Sequence, residues 1–238
     1  MTLQEDIYSA HEADAFFLRC SDSLPLAGSI RESKQCLVDL LEKAGSLPRG
    51  LRVLEIGCFV GDLLAHFRDY YGCEVYGVEA SSLACDYASS NYSLSLENAC
   101  FTSSSFFGFS QSLRATFDLI VIEDVFGWMS RETILPVLSS IDWLLKPGGQ
   151  ILIHDYSPVF GFCYKNHHVQ NADVYSYKMP GGHASLFLAT GMYIVERQEA
   201  CLSSSYQKVQ TGRPDSTSWA TTLLRKLGNP LYPVLAFD

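Results

Sequence analysis

Residues 53–64 read VLEIGCFVGDLL, an apolar strand running into two glycines, Gly57 and Gly61, set around Cys58, Phe59 and Val60. A helix-spaced run, DLLAHFRDYY at 62–71, starts directly after Gly61. In an open parallel sheet, ligands sit beyond the carboxyl ends of the strands, where neighbouring crossovers leave in opposite directions. Gly57 can take backbone angles closed to other residues, and Gly61 lets the helix begin close against the strand. The turn therefore offers main chain to a ligand at the amino end of a helix.

The same rhythm extends on both sides. Residues 29–44 carry Ile30, Leu37, Val38, Leu40 and Leu41 among charges, which predicts an amphipathic helix ending near Gly45. EVYGVEA alternates into a second strand ending at Glu79, and Ser81 and Ser82 can cap the helix SLACDYASSNY. ACFTSS at 99–104 reads as a short strand and FDLIVIEDVF as a central strand buried on both faces. The helix RETILPVLSSIDWLL follows, then a turn at Lys146–Gly149 and the strand GQILIHDYS. Strands alternating with helices imply an α/β fold with a parallel sheet and right-handed crossovers. Beyond Pro158 the periodicity weakens, and the aromatic stretch up to His183 reads as a loop or lid. GHASLFLATG reads as a short helix, MYIVERQEACL as a strand, and the region of STSWATTLLRKLG as a helix before LYPVLAF.

At 238 residues, 47% hydrophobic and 18% charged, the chain suits one large folded domain. A formal net charge of -9 provides no basic field for phosphates, so duplex nucleic acid is not expected as a partner and a neutral or cationic small molecule is. No apolar run reaches the roughly 20 residues that cross a bilayer, and the first ten residues lack the pattern of a signal peptide. No membrane partner and a cytoplasmic location are expected. The eight cysteines are scattered singly without CxxC or zinc-like spacing, so reduced thiols are expected.

Glu79, ending the second strand, stands where a carboxylate can accept both hydroxyls of a ribose. A nicotinamide fingerprint needs glycine at position 59, where this chain has Phe59, so pyrophosphate is disfavoured. What remains is a nucleoside site with a glycine-lined floor, a ribose acid and a hydrophobic slot for a base. In ExGxxxG (Glu55, Gly57, Gly61), the acid Glu79, FDLIVIEDVFGWM and LLKPGGQILI, taken in this order and spacing, the chain resembles the class I S-adenosylmethionine-dependent methyltransferases over about 53–157 and less closely to 196. The resemblance implies a doubly wound, seven-stranded, mostly parallel sheet whose last strand runs antiparallel. It implies S-adenosylmethionine as cofactor, with its methionine near Gly57 and its adenine near 103–106. The cofactor-binding residues expected on that basis are Glu55, Gly57, Cys58, Gly61, Glu79, Ala80, Ser81, Ser104, Glu123 and Asp124. Two departures stand out: Asp124 and Trp128 occupy positions where many relatives carry histidine, and Thr102–Ser105 replaces the acid that contacts adenine.

Methyl transfer to oxygen or nitrogen requires an acceptor that has lost its proton, and imidazole is tuned for that task near neutral pH. His154, beside Asp155 at the carboxyl end of its strand, is the first choice as base, with His168 and His183 as further candidates. No ligand spacing supports a metal. The expected organisation is an N-terminal helical cap over 1–48 and a cofactor-binding domain over 49–238, with a lid insertion at about 157–183. The expected reaction is methyl transfer to a small molecule, at a hydroxyl of a sugar or secondary metabolite. Nitrogen, carboxylate and carbon acceptors stay open, as does a scaffold that binds the cofactor without turnover. A nicotinamide oxidoreductase is the third reading.

Overall fold

The computed structural model describes residues 4–102, 111–169, 173–202 and 218–228. After an N-terminal helical segment, α1 (Gln4–Ile7), a π-helical stretch (Tyr8–Glu12) and α2 (Ala13–Cys20), comes α3 (Glu32–Lys43). The alternation then runs β1 (Arg52–Ile56), α4 (Asp62–Tyr71), β2 (Glu74–Glu79), α5 (Ser82–Tyr92), β3 (Glu97–Asn98), β4 (Phe117–Glu123), α6 (Arg131–Leu144) and β5 (Leu145–Tyr156). A hairpin of β6 (Phe162–Lys165) and β7 (Tyr175–Lys178) precedes α7 (Ala184–Ala189), β8 (Tyr193–Leu202) and β9 (Ser218–Lys226).

The main sheet has seven strands in the order β3-β2-β1-β4-β5-β9-β8. Pairings from β3 through β5 are parallel, and β9 lies antiparallel to both β5 and β8. The order reverses at β1, which puts its carboxyl end at the switch point where a ligand is expected. Strand alternation divides the core in two. Val53, Leu119, Val121, Leu152 and Leu223 face α3 and α4, packing on Leu37, Leu40, Leu41, Leu63 and Phe67. Leu54, Ile56, Ile120, Ile122, Ile151, Ile153 and Leu224 point the other way, onto Val137, Ile141, Leu144 and Phe187. A side-chain period of two thus supplies both layers from the same strands.

Four expectations are corrected. The third strand is Glu97–Asn98 rather than 99–104, because the backbone partners of Val78 and Glu79 are Glu97 and Asn98. Lys146–Gly149 does not separate helix from strand as a turn. It belongs to β5, where a register irregularity beside Phe117–Leu119 absorbs it. The aromatic stretch after Pro158 contains an antiparallel hairpin, Phe162 pairing with Lys178 and Lys165 with Tyr175. The segment read as a helix near 216–228 is strand β9, hydrogen-bonded on both edges. There Thr221 and Thr222 are buried and Leu223 and Leu224 enter opposite core layers, so pairing with two strands overrides local helical spacing. LYPVLAF lies outside the described residues.

Besides its apolar packing, α3 is tied to the sheet by charge. The Lys34 ammonium from α3 lies 2.6 Å from Glu55 Oε1 and 3.2 Å from Asp62 Oδ1, its side chain fully buried. Arg31 adds a backbone amide bond to Asp62 Oδ2 at 2.8 Å and reaches within 3.8 Å of Glu123. Burial alone would raise the Asp62 carboxyl, but the Lys34 and Arg31 cations and the amide hold it at about 2. Glu55 lies deeper and shares its one cation with Asp62, so burial prevails and pushes it up to about 7. The depressed Asp62 contributes stability that is complete above its unfolded pKa, near 4, and lost as pH falls through about 2.

Replacing Lys34 with Met leaves two buried carboxylates short of a cation and should cost about 3–5 kcal/mol at pH 7. In denaturant titrations the gap from the wild type should narrow toward pH 3, as those carboxylates take up protons. Gly77→Ala should also destabilise. Its added Cβ would stand 2.6 Å from Leu96 and 2.7 Å from both Cys58 Sγ and Leu64, an overpacking cost of about 1–3 kcal/mol readable as a lower urea midpoint.

Candidate active site

The turn after β1 is built by backbone strain held in place by hydrogen bonds. Gly57 (φ 70°), Phe59 (φ 53°) and Gly61 (φ 73°) are all left-handed. The amides of Gly57 and Cys58 donate to Val78 O at 2.9 and 3.2 Å, tying the turn to β2. A Cβ on Gly57 would lie 2.5 Å from Val125 Cγ2, so its missing side chain lets the end of β4 close on this turn. Phe59 is a bulky residue in a costly conformation. Its amide donates to Glu79 Oε2 at 2.8 Å, and its ring lies against Phe16 and Phe17 with the Arg31 guanidinium 4.7 Å from its centroid. The other Glu79 oxygen accepts from Ser81 N at 2.8 Å. Burial raises the Glu79 pKa against the pull of these amides.

Above the turn opens a cavity of about 1320 Å³. Its sheet side is formed by strand ends and their flanks, with Gly57, Phe59, Glu79, Ala80, Glu123, Asp124, His154, Tyr156 and Trp219. Glu5, Tyr8, Glu12, Phe16 and Arg19 of the N-terminal segment and Phe162 and Tyr164 of the hairpin close it. The π-helical stretch begins with Tyr8 and ends with Glu12, and both line the cavity. A smaller cavity of about 340 Å³, beside Arg68 and Glu74, lies toward the amino end of β2, away from the switch point.

The residues expected around a cofactor separate into two groups. Gly57, Glu79, Ala80, Glu123 and Asp124 line the cavity. Glu55, Cys58, Gly61 and Ser81 support it from behind: Glu55 pairs with Lys34, Cys58 is buried in the core, Gly61 opens α4 and Ser81 caps α5 through Ala84 N at 3.1 Å. Ser104 and the 103–106 segment lie outside the described residues. Of the histidines, His154 and His168 line the cavity, whereas His183 is buried against Asp155 through Nδ1. Among the described residues no cluster of three or more His, Cys, Asp or Glu side chains is arranged to hold a metal ion.

Several wall residues were not singled out from sequence. Tyr8 and Glu12 sit in a segment with little visible periodicity, and Trp219 in a strand read as a helix. Lys178 is fully buried on β7, its ammonium 3.2 Å from Asp124 Oδ1 and 3.8 Å from the centroid of the Tyr156 ring. A lysine in an aperiodic stretch carries no sequence signal for such a place. Burial raises the Asp124 carboxyl to about 6, against the lowering by Lys178 and with a further rise from Asp155. His154 Nδ1 is 2.8 Å from Thr221 Oγ1 and its ring stacks on Trp219 at 5.0 Å. Burial lowers its pKa, so neutral imidazole is the favoured form. Burial also raises the Tyr8 phenol, with Glu79 adding to the effect.

This donor set fits S-adenosylmethionine group by group. Glu79, its two oxygens anchored by main-chain amides, can accept ribose hydroxyls. Val78, Ala99 and Phe101 offer an apolar slot for a base, and Arg31 faces the cavity as a cation for a carboxylate. The volume exceeds the roughly 300–1,000 Å³ of a typical ligand pocket, which leaves room for a second molecule beside the cofactor.

Comparison with known proteins agrees. A family model described as a methyltransferase domain matches residues 29–193. No curated protein matches the sequence. Among solved structures, the chain is similar to a 1,6-didemethyltoxoflavin-N1-methyltransferase of Burkholderia thailandensis, bound to 1,6-didemethyltoxoflavin and S-adenosylhomocysteine. That match has a TM-score of 0.64 at 14% identity, covering 95% of this chain and 91% of that one. It is similar to a [4+2]-cyclase, SpnF, with a TM-score of 0.64 at 14% identity, covering 96% and 98%. It is also similar to phosphoethanolamine N-methyltransferase 2 of Haemonchus contortus, with a TM-score of 0.61 at 12% identity, covering 96% of this chain and 61% of that one. With the family match spanning more than half its length, the chain belongs to the methyltransferase-domain family and is a class I S-adenosylmethionine-dependent methyltransferase.

Proposed function

We propose that the protein transfers the methyl group of S-adenosylmethionine to a hydroxyl of a small molecule, a sugar or secondary metabolite, held between the aromatic walls of the cavity. The observation that carries the reading is Glu79. Its carboxylate is fixed by the amides of Phe59 and Ser81 at the end of the strand next to the Gly57 turn. The cofactor supplies an activated methyl group, so the chain's task is alignment and exclusion of water. Phe59 and Ala80 form the floor, Arg31 holds the amino-acid end, and Tyr8, Trp128 and Tyr164 wall the space for the acceptor. Asp124 and His154, on neighbouring strand ends beside the Gly57 turn, are the groups proposed to take the acceptor's proton, with His168 on the hairpin side of the cavity. The N-terminal segment over 1–48 and the insertion at about 157–183 act as the two covers. Acidic side chains outnumber Arg19 and Arg31 in the lining, which argues against nucleic acid as the acceptor. Among the described residues no helix is long and apolar enough to cross a membrane.

Likeness to a [4+2]-cyclase means that fold alone does not choose the reaction. Turnover decides. Calorimetry should show binding of S-adenosylhomocysteine, and a panel of monosaccharides and phenols should yield S-adenosylhomocysteine from S-adenosylmethionine. Release only with amines, carboxylates or carbon nucleophiles would replace the hydroxyl assignment, and binding without turnover across the panel would favour a scaffold. Glu79→Gln keeps the shape of the side chain and removes its charge. It should raise the Kd for S-adenosylhomocysteine about tenfold to a hundredfold, the range expected for hydrogen bonds to a charged group.

A further inference from the structure

Of the two groups at the strand ends, Asp124 is the one that the structure pairs with a buried cation. It has a left-handed backbone, φ 47°, immediately after β4, where its amide donates to His154 O at 2.9 Å. Aspartate tolerates this region better than most residues with a side chain, and the bond to His154 O fixes Asp124 in it, which sets where its carboxylate points. The next residue, Val125, packs on the Gly57 turn, so Asp124 enters the cavity beside the segment that would carry the amino-acid end of the cofactor.

Behind Asp124 stands that buried cation. Lys178 comes from the hairpin rather than the sheet, and its side chain is 0% exposed. Desolvating an ammonium costs several kcal/mol. What compensates it is Asp124 Oδ1 at 3.2 Å together with the rings of Tyr156, Trp128 and Tyr164 at 3.8, 5.7 and 5.9 Å. A Cβ on Gly127 would lie 2.8 Å from Nζ, so the backbone there is bare where the ammonium approaches. Lys178 does not line the cavity; it fixes the carboxylate that does. His154 is differently placed, its Nδ1 engaged with Thr221 and its ring stacked into the wall on Trp219.

We propose that Asp124 is the catalytic residue that receives the acceptor hydroxyl's proton, and that Lys178 is its positioning residue. This rests on the reading of the site as one for methyl transfer to a hydroxyl. As the O–H proton passes to a carboxylate oxygen of Asp124, the acceptor oxygen uses a lone pair to form the new O–C bond. The pair of the breaking S–C bond stays on sulfur, which becomes neutral, and the proton later leaves Asp124 for solvent. The groups facing Asp124 are Lys178 of β7, Asp155 of β5 with its partner His183, Glu123 of its own strand and the Tyr8 phenol of the cap. Burial, Asp155 and Glu123 raise the carboxyl and Lys178 lowers it, with the balance at about 6. The ionised base is therefore lost as pH falls through about 6, and removing Lys178 moves that limb upward.

The test uses the full chain with S-adenosylhomocysteine as binding probe and the best hydroxyl acceptor of the monosaccharide and phenol panel as substrate. Asp124→Asn should lower kcat by about a hundredfold or more, a loss well beyond any change in the Kd for S-adenosylhomocysteine, as loss of a general base predicts. The acid limb of the kcat/KM profile should lie near pH 6 in the wild type, move up in Lys178→Met and return in Lys178→Arg. Carbon-13 NMR of labelled aspartate carboxylates needs no acceptor. The resonance missing in Asp124→Asn should titrate near pH 6 in the S-adenosylhomocysteine complex, and this carries the test if Lys178→Met does not fold. The proposal is overturned if Asp124→Asn keeps more than about a tenth of the wild-type kcat, if that resonance titrates below pH 4, or if a folded Lys178→Met leaves the acid limb in place. Loss of turnover in His154→Ala alongside an active Asp124→Asn would give the role to His154. Failure of the wild type to bind S-adenosylhomocysteine would instead remove the reading of the site itself.

Discussion

One buried ammonium joins the two halves of this active site. Lys34 reaches from α3 to Glu55 on β1 and Asp62 at the start of α4, so it spans the Gly57 turn from underneath. A cation shared by two carboxylates in a dry environment binds strongly only when each partner stays in place, and that sensitivity keeps the turn rigid. With the turn fixed, Phe59 can be held left-handed and Glu79 can bind its amide. Arg31, one turn before Lys34, is brought by the same helix to the cavity edge between Asp62 and Glu123. The charges buried below thus determine where the charges above can act.

The N-terminal segment follows the same logic with polar side chains. Glu5 accepts from Ser130 N at 2.5 Å and so caps α6 from a distant part of the chain. Asp14 accepts from Ser81 Oγ at 2.6 Å and Leu83 N at 3.1 Å at the start of α5. Gln4 donates to Trp128 O and Tyr175 O and accepts from Tyr175 N at 2.7 Å, joining the loop after β4 to the hairpin. Helix amino termini carry unpaired amides and a partial positive charge, so carboxylates from another element are suited to occupy them. The cover is held by a few directional contacts, while its apolar and aromatic residues, Tyr8, Ala13 and Phe16, face the cavity.

Much of this architecture was legible because buried parallel strands and amphipathic helices have strong periods. DLLAHFRDYY and SLACDYASSNY became α4 and α5 with the bounds the pattern suggested, and Ser81 caps α5 as its position implied. Glu79 falls at the end of β2, as the alternation of EVYGVEA implied. Contacts made between distant segments were not legible. Glu55 belongs to the recognised motif, yet its partner Lys34 sits in a helix where a lysine ordinarily signals a solvated face. Lys178 and Trp219 were hidden for a related reason: the hairpin and β9 owe their form to neighbours across the sheet or within the hairpin, and local pattern does not encode neighbours.

The sheet order also bears on when the site can exist during synthesis. β9 follows β8 in the chain but is inserted between β8 and β5, so β8 emerges with no strand to pair with and waits for the segment behind it. Trp219, on that late strand, is the surface on which the rings of His154 and Tyr156 rest. A nascent chain ending before residue 218 would carry the Gly57 turn, Glu79 and Asp124, but not the ring on which His154 stacks. The Gly57 turn and Glu79 are thus encoded early and the wall beneath His154 late, so under the proposed function the cofactor's side of the cavity precedes the acceptor's side along the chain.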